Sequence, residues 1–410
     1  MMRVLIPLLG LAALACANPA NETDPAIKAN ILAVAKGDNQ FAFDLYAKLR
    51  GEKGNLFFSP YSISTALAMT RAGAHGETAA EMDKTLHFTL PEDQLQSAFG
   101  ALVKEVNGDP ADAKRGYQLS TANALWGQKG FGFKADFLKL VNDNYGTGLN
   151  QVDFKGAADQ VRGTINAWVE KETRDKIKDL LQQGDVTSDT RLVLTNAIYF
   201  KGDWAGPFKK ELTKVEPFHL TADKKADAPL MHRMGEYKYL DGESFQALEL
   251  PYSGKHLTMV VLLPKKVDGL ADSEKDLTAD KLAGWVKGLR EQKVIVSLPK
   301  FKTTQRASLA STLSEMGMKN AFTSGADFSG MGGGPGDLAL SDVIHKAFID
   351  VNEEGTEAAA ATAVAVVKSA AVIREPPTPV FRADHPFVYL IRDTRSDSIL
   401  FLGRLVDPAK

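Results

Sequence analysis

The chain has 410 residues, 44% of them apolar and 24% charged, with a formal net charge of −2. That is globular composition, neither disordered nor collagen-like, and its near-neutral charge gives no footprint for sequence-independent nucleic-acid binding. The single cysteine, Cys16, excludes intrachain disulfides and cysteine metal sites. Length alone suggests about two or three domains, yet no linker-like gap or internal repeat divides the sequence.

The N-terminus reads as a targeting segment. Arg3 is followed by an apolar run of eleven residues, Val4–Leu14, and then by Ala15-Cys16-Ala17. A run this short cannot span ~30 Å of hydrocarbon, so residues 1–17 are expected to be a secretory signal peptide. Two cuts compete. One follows Ala17; the other precedes Cys16, in a pattern resembling a bacterial lipoprotein signal, with the thiol then lipidated as an anchor. Either predicts a secreted, extracellular or cell-envelope protein without a membrane span. Residues 18–25 are polar, carry Pro19 and Pro25, and read as a short tether.

Helical spacing covers Asp24–Leu49. Ser59-Pro60 predicts a capped helix start, with the helix ending at Gly73. Phe133–Tyr145 and Ala157–Leu181 also carry helical spacing, the latter through Ile165, Trp168, Val169 and Ile177. Strands are predicted at Tyr117–Trp126, Leu192–Phe200, Phe245–Pro251, Leu257–Leu263, Val294–Leu298, Val343–Val351, Phe387–Ile391 and Ile399–Leu402. Helices early and strands late make an α+β pattern. Gly330–Gly336, with five glycines in seven residues, and Pro376–Pro379 read as surface loops.

No nucleophile elbow, zinc-protease motif, phosphate-binding loop or complete dinucleotide fingerprint occurs. The seven histidines lack paired metal-ligand spacing. No catalytic residue, metal site or cofactor is assigned, and an enzyme is not expected.

The informative segment is Val343–Pro386. In Val343–Val351, Val343, His345, Ala347, Ile349 and Val351 share one face, while Ile344, Lys346, Phe348 and Asp350 share the other. His345 therefore sits in an apolar row, as a hydrogen-bonded core histidine would. Glu353-Glu354-Gly355-Thr356-Glu357-Ala358-Ala359-Ala360-Ala361-Thr362-Ala363-Val364 follows. Its alanines favour helix, and the β-branched residues from Thr362 to Val367 favour strand. Read with period two, Thr356, Ala358, Ala360, Thr362, Val364 and Val366 form one small, weakly polar face. From Thr356 to Val367 such a strand would span roughly 40 Å, without a proline to remove a ladder donor. A segment compatible with loop, helix or strand suggests a switching element.

These residues resemble the serpin family. Gly355 to Thr362 resembles the hinge of an inhibitory reactive-centre loop. Phe381-Arg382-Ala383-Asp384-His385-Pro386-Phe387 resembles the family's C-terminal signature, and Asn55–Met82 its second-helix region. Asn123–Leu138, Ile165–Leu181, Leu192–Phe208 and Leu248–Pro264 match in order, so the similarity runs from about Ala26 to the C-terminus. The chain is similar to secreted bacterial members.

The resemblance implies one domain over residues 26–410, with three β-sheets (A, B, C), about nine helices and an exposed reactive-centre loop at about 353–380. It implies an inhibitor of serine or cysteine proteases, acting as a monomer and a suicide substrate; the alternative is a non-inhibitory serpin used as carrier, chaperone or storage protein. The small-residue hinge, with an uncharged Thr356 as the first inserted side chain, favours inhibition. Ser59, Ser62, Asn196 and His345 match the shutter, Ser59 also reading as a helix cap. Trp204 and Glu353 match the breach. Gly355, Thr356, Glu357, Ala358, Ala359, Ala360, Ala361 and Thr362 match the hinge. Counting seventeen positions from Glu353 puts the scissile bond between Ser369 and Ala370. Lys368–Ser369 is the alternative, with Val367 and Arg374 as further specificity candidates. No dense Lys/Arg run of the kind expected for a heparin-like polyanion occurs.

Overall fold

The computed structural model describes residues 24–108, 115–356 and 377–410. In chain order its elements are α1 (Pro25–Leu49), β1 (Leu56–Phe58), α2 (Pro60–Arg71), α3 (Gly76–Thr85), α4 (Glu92–Asn107), β2 (Tyr117–Gln128), α5 (Ala135–Tyr145), β3 (Leu149–Val152), α6 (Phe154–Glu172) and β4 (Leu192–Asp203). Then come β5 (Lys214–His219), β6 (Lys225–Asp241), β7 (Phe245–Pro251), β8 (Leu257–Pro264), α7 (Leu270–Lys275), α8 (Ala279–Gly288), β9 (Arg290–Pro299), β10 (Phe301–Ser308) and α9 (Ala310–Met316). The chain closes with β11 (Asp342–Val351), β12 (Gly355–Thr356), β13 (Val380–Arg382), β14 (Phe387–Asp393) and β15 (Ile399–Leu405). Nine α-helices thus occur among the described residues, as expected.

Hydrogen bonding gives a six-stranded sheet, β10-β11-β4-β2-β3 with β12 on β4, and a nine-stranded network, β1-β15-β14-β8-β7-β6-β9-β13 with β5 on β6. Where three sheets are expected, two run together through β6. This strand is 17 residues long and pairs with β5 in its first part, with β9 from Leu230 to Tyr239 and with β7 at its end. Charged and exposed positions through its length hid it from sequence reading, which needs one clean apolar face.

The alternation expected of β11 holds. Val343, Ala347, Ile349 and Val351 enter the main core against the nine-stranded network, while Ile344 and Phe348 enter a second core with α6. The six-stranded sheet is therefore buried on both faces, as its central parallel pair β4 and β11 requires.

Three local expectations change. Pro25 is not tether but the first residue of α1, capped by Asp24, whose carboxylate accepts from the Ala26 N–H (2.9 Å). A first-turn proline forfeits only an N–H that would be unpaired anyway. The helix expected through Leu181 stops at Glu172. Thr173 Oγ1 donates to the Val169 carbonyl (2.8 Å) and accepts from the Ile177 N–H (3.2 Å), and Arg174 and Asp175 turn to positive φ. Ile177, Leu180 and Leu181 are still buried, which is why their pattern read as helix. The Gly-rich segment is only partly a surface loop. Met331 is fully buried, and a Cβ on Gly73 would lie 2.2 Å from its Cγ, so glycine there makes room for the plug. Gly333–Asp337 forms the solvent-facing remainder.

Candidate functional site

Two polar clusters punctuate the six-stranded sheet, one at its middle and one at the end where β11 gives way to β12.

The middle cluster starts from strand register. Asn123 of β2 lies opposite Asn196 of β4, and Asn196 lies beside His345 of β11. The three polar side chains form one row across the sheet, above the N-terminus of α2. There the expected Ser59 cap is present, its Oγ accepting from the Ser62 N–H (3.1 Å) and donating to the Leu400 carbonyl (2.6 Å). Asn196 Nδ2 donates to the Ser62 carbonyl (2.6 Å) and to Ser62 Oγ (2.7 Å), and Ser62 Oγ donates to Asn123 Oδ1 (3.1 Å). All five residues are buried, so each bond spares a polar group a desolvation cost of about 1–3 kcal/mol.

The protonation state of His345 follows from its partners. The Ser59 backbone N–H can only donate, and it points at Nε2 (3.2 Å), so Nε2 holds a lone pair. Nδ1 then carries the proton and donates to Asn196 Oδ1. The ring is neutral, and complete burial lowers its pKa from 6.5 to about 3. A base with a depressed folded pKa contributes stability that is fully present above about pH 6.5 and is lost as pH falls toward 3. His345→Gln keeps a donor and an acceptor but cannot titrate. It should flatten the acid limb of stability between pH 6.5 and 3 by up to about 1.4 kcal/mol per pH unit, measured as denaturant midpoint against pH. An unchanged limb would show that other groups govern acid unfolding.

The second cluster holds the turn between β11 and β12. The Trp204 ring stacks on Tyr252 (centroids 4.6 Å apart, planes at 12°), and its Nε1–H donates to the Asn352 carbonyl (3.0 Å). The Trp204 and Phe208 N–H groups donate to the Glu354 and Glu353 carbonyls (2.9 and 2.7 Å). Glu353 is buried. Burial raises its pKa, but hydrogen bonds from Lys300 Nζ (2.8 Å), the backbone and Thr213 Oγ1 (2.8 Å) outweigh that and hold the carboxyl below its usual range.

β12 pairs antiparallel with β4, Gly355 opposite Asp203 and Thr356 opposite Gly202. Tyr117 of β2 occupies the other edge of Gly202, so β12 takes the edge that faces β11. Beyond this point β11 and β4 pair directly and in parallel, from Phe348–Tyr199 down to Asp342–Val193. At the two ends of the stretch expected as the loop, Glu353 is held by these contacts, Gly355 and Thr356 are in the sheet, and Val380 opens β13. Gly355 has φ +134°, and a Cβ on it would lie 2.2 Å from the Gly202 carbonyl oxygen. Gly355→Ala should therefore expel β12 from β4, costing about 1–3 kcal/mol locally. Faster hydrogen exchange at the Trp204 amide is the expected readout; unchanged protection would count against the pairing.

The sequence brought Ser59, Ser62, Asn196 and His345 to one cluster and Trp204 and Glu353 to the other, and the structure unites each set. It missed Asn123, Tyr252, Thr213 and Lys300. Asn123 alone left a signal, as an amide inside a strand of otherwise strand-like residues. Glu357 to Thr362, Lys368, Ser369, Ala370, Arg374 and Cys16 lie outside the described residues.

A mixed sheet whose central strands are parallel neighbours, entered at one end by the chain that leaves β11, defines the serpin class of fold. A family model for serpins (serine protease inhibitors) matches residues 36–408. A leukocyte elastase inhibitor of Xenopus tropicalis is 44% identical over 377 residues, covering 90% of this chain and 97% of that protein. An uncharacterised serpin-like protein of Thermococcus kodakarensis is 41% identical over 378 residues, covering 92% of this chain and 86% of that one. Among solved structures, uncleaved ovalbumin superposes with a TM-score of 0.82 at 32% identity, covering 92% of this chain and all of that one. The chain belongs to the serpin family.

Proposed function

We propose that the protein inhibits serine proteases, or cysteine proteases of similar reach, as a suicide substrate. The observation that carries this is β12: two residues of the segment after β11 already run antiparallel on β4 at the mouth of the β4–β11 pair. A strand continuing this way would be antiparallel to both neighbours and would replace a slanted parallel ladder with two better-aligned ones.

Continuing the register of Gly355–Asp203 and Thr356–Gly202 assigns each following residue a partner. Ala358 would face Phe200, Ala360 Ile198, Thr362 Asn196 and Val364 Leu194. Phe200, Ile198 and Leu194 line the main core, where only small or apolar side chains fit without displacing it. On the other face Glu357 would meet Lys201, so the only charge in the segment finds an opposite partner. The register reaches Leu192, the start of β4, at Val366, three residues before Ser369–Ala370. Cleavage there would carry an acyl-linked protease to the far end of the sheet. Inserting the strand must part Asn196 from His345, so the middle cluster acts as the latch.

The elastase-inhibitor relative supports protease inhibition, and the small hinge supports it against a carrier or storage role. Residues 1–17 are proposed as the export signal, with Cys16 either removed or lipidated, and the protein as a monomer. The test is a protease panel read by SDS gel and by mass spectrometry of the released peptide. A stable adduct of about one-to-one stoichiometry, with cleavage between residues 367 and 374, is expected. Clean cleavage with no adduct would refute inhibition.

A further inference from the structure

Met234, Ile295 and Val380 lie side by side on three adjacent strands, with Met234 opposite Ile295 and Ile295 opposite Val380. They are 55%, 38% and 52% exposed, while their strand neighbours Val294, Val296 and Phe381 are buried on the other face. The row is flanked on both sides by polar groups. Glu236 and Lys293 face each other one step along. In the other direction His232 Nδ1 meets Ser297 Oγ (2.9 Å), and Arg382 pairs with Glu216 (2.7 Å) and with Asp384 (2.7 Å). An apolar stripe inside a polar rim is the anatomy of a protein interface.

We infer that this stripe is a second docking surface for the protease that attacks the loop, an inference that rests on the inhibitory reading. Its occupant follows from where the chain returns. The stretch between Thr356 and Pro377 ends three residues before Val380. The bond expected at Ser369–Ala370 is ten residues from Val380, at most ~35 Å of extended chain. A protease of about 240 residues has a radius of roughly 20–25 Å, so an enzyme closed on that bond has its flank within reach of β6, β9 and β13. Such a contact would raise the association rate and set partner choice without entering the later race between insertion and deacylation.

The test is the triple variant Met234→Thr, Ile295→Thr, Val380→Thr, which leaves a β-branched, strand-compatible side chain at all three positions, with Met234→Lys as a single-site alternative should the triple fold poorly. Melting temperature checks folding. The expected result is an association rate constant lowered about three- to tenfold for at least one adduct-forming protease, with stoichiometry unchanged because the loop and sheet are intact. Rates within twofold of the parent for every such protease would overturn the inference. So would a parent protein that sediments as a dimer, a variant that sediments as a monomer and unchanged rates, since a second copy would then own the stripe. If the parent yields cleavage but no adduct, the inhibitory reading fails separately. The stripe is then judged on kcat/KM for loop cleavage, which must still fall about threefold.

Discussion

Arginine at position 356 should turn the protein from inhibitor into substrate. Thr356 pairs with Gly202, and by that register a side chain inserted from position 356 would share the face of Gly202. On the face of Gly202 a Cβ would lie 2.7 Å from Phe200 Cζ and 2.9 Å from Tyr252 Cδ1. A guanidinium carried into that aromatic cluster would be desolvated, at a cost of several kcal/mol. If about 2 kcal/mol of this is felt in the transition state for insertion, insertion slows roughly thirtyfold. Deacylation of the protease is untouched, so its share of the outcome rises by the same factor. The expected readout is a stoichiometry of inhibition above about ten, with the loop still cut at the same bond. A variant that still traps protease one-to-one would show that position 356 does not enter the sheet.

Cleavage of the loop should sharply raise thermal stability. Insertion along β4 would add a strand of about twelve residues with ladder bonds on both edges. At ~0.5–1.5 kcal/mol net per hydrogen bond, that amounts to on the order of 10–15 kcal/mol. A chain of this size shifts its melting temperature by roughly 1 °C per kcal/mol, so an increase of about 10–15 °C or more is expected by calorimetry after limited proteolysis. The gain is expected to be large because β4 and β11 pair in parallel from Phe348–Tyr199 to Asp342–Val193, a ladder that an inserted strand would replace with two antiparallel ones. A melting temperature unchanged after cleavage would exclude insertion as the driving step.

Much of this was legible from residues alone because the signals are local. Ser59-Pro60 named a helix start, and Ser59 caps α2 as read. The two-residue alternation of Val343–Val351 named both faces of β11 and put His345 in the apolar row where it lies. The expected and observed boundaries of β7 coincide at Phe245–Pro251, where a proline closes the run. β6 escaped because its outward positions are charged or polar along most of its length. Ile177 misled because a residue can be buried at helical spacing after the helix has ended. Met331 was hidden by the glycines around it, whose absence of side chains reads as loop until the neighbour filling the space is seen.

Local and compositional properties are carried by the residues themselves: one core-forming chain, the capped α2, and a hinge segment with small, mostly uncharged side chains. Relations between distant segments arise only in the folded chain. Asn123, Asn196 and His345 share one row only because β2, β4 and β11 pair in a particular register. Gly355 must be glycine because its pairing with β4 holds it at φ +134° with the Gly202 carbonyl against it. Met234, Ile295 and Val380 become a stripe only when three strands from separate parts of the chain align. Register and pairing between such segments are fixed by the summed burial of the whole core, not by preferences that any one segment carries.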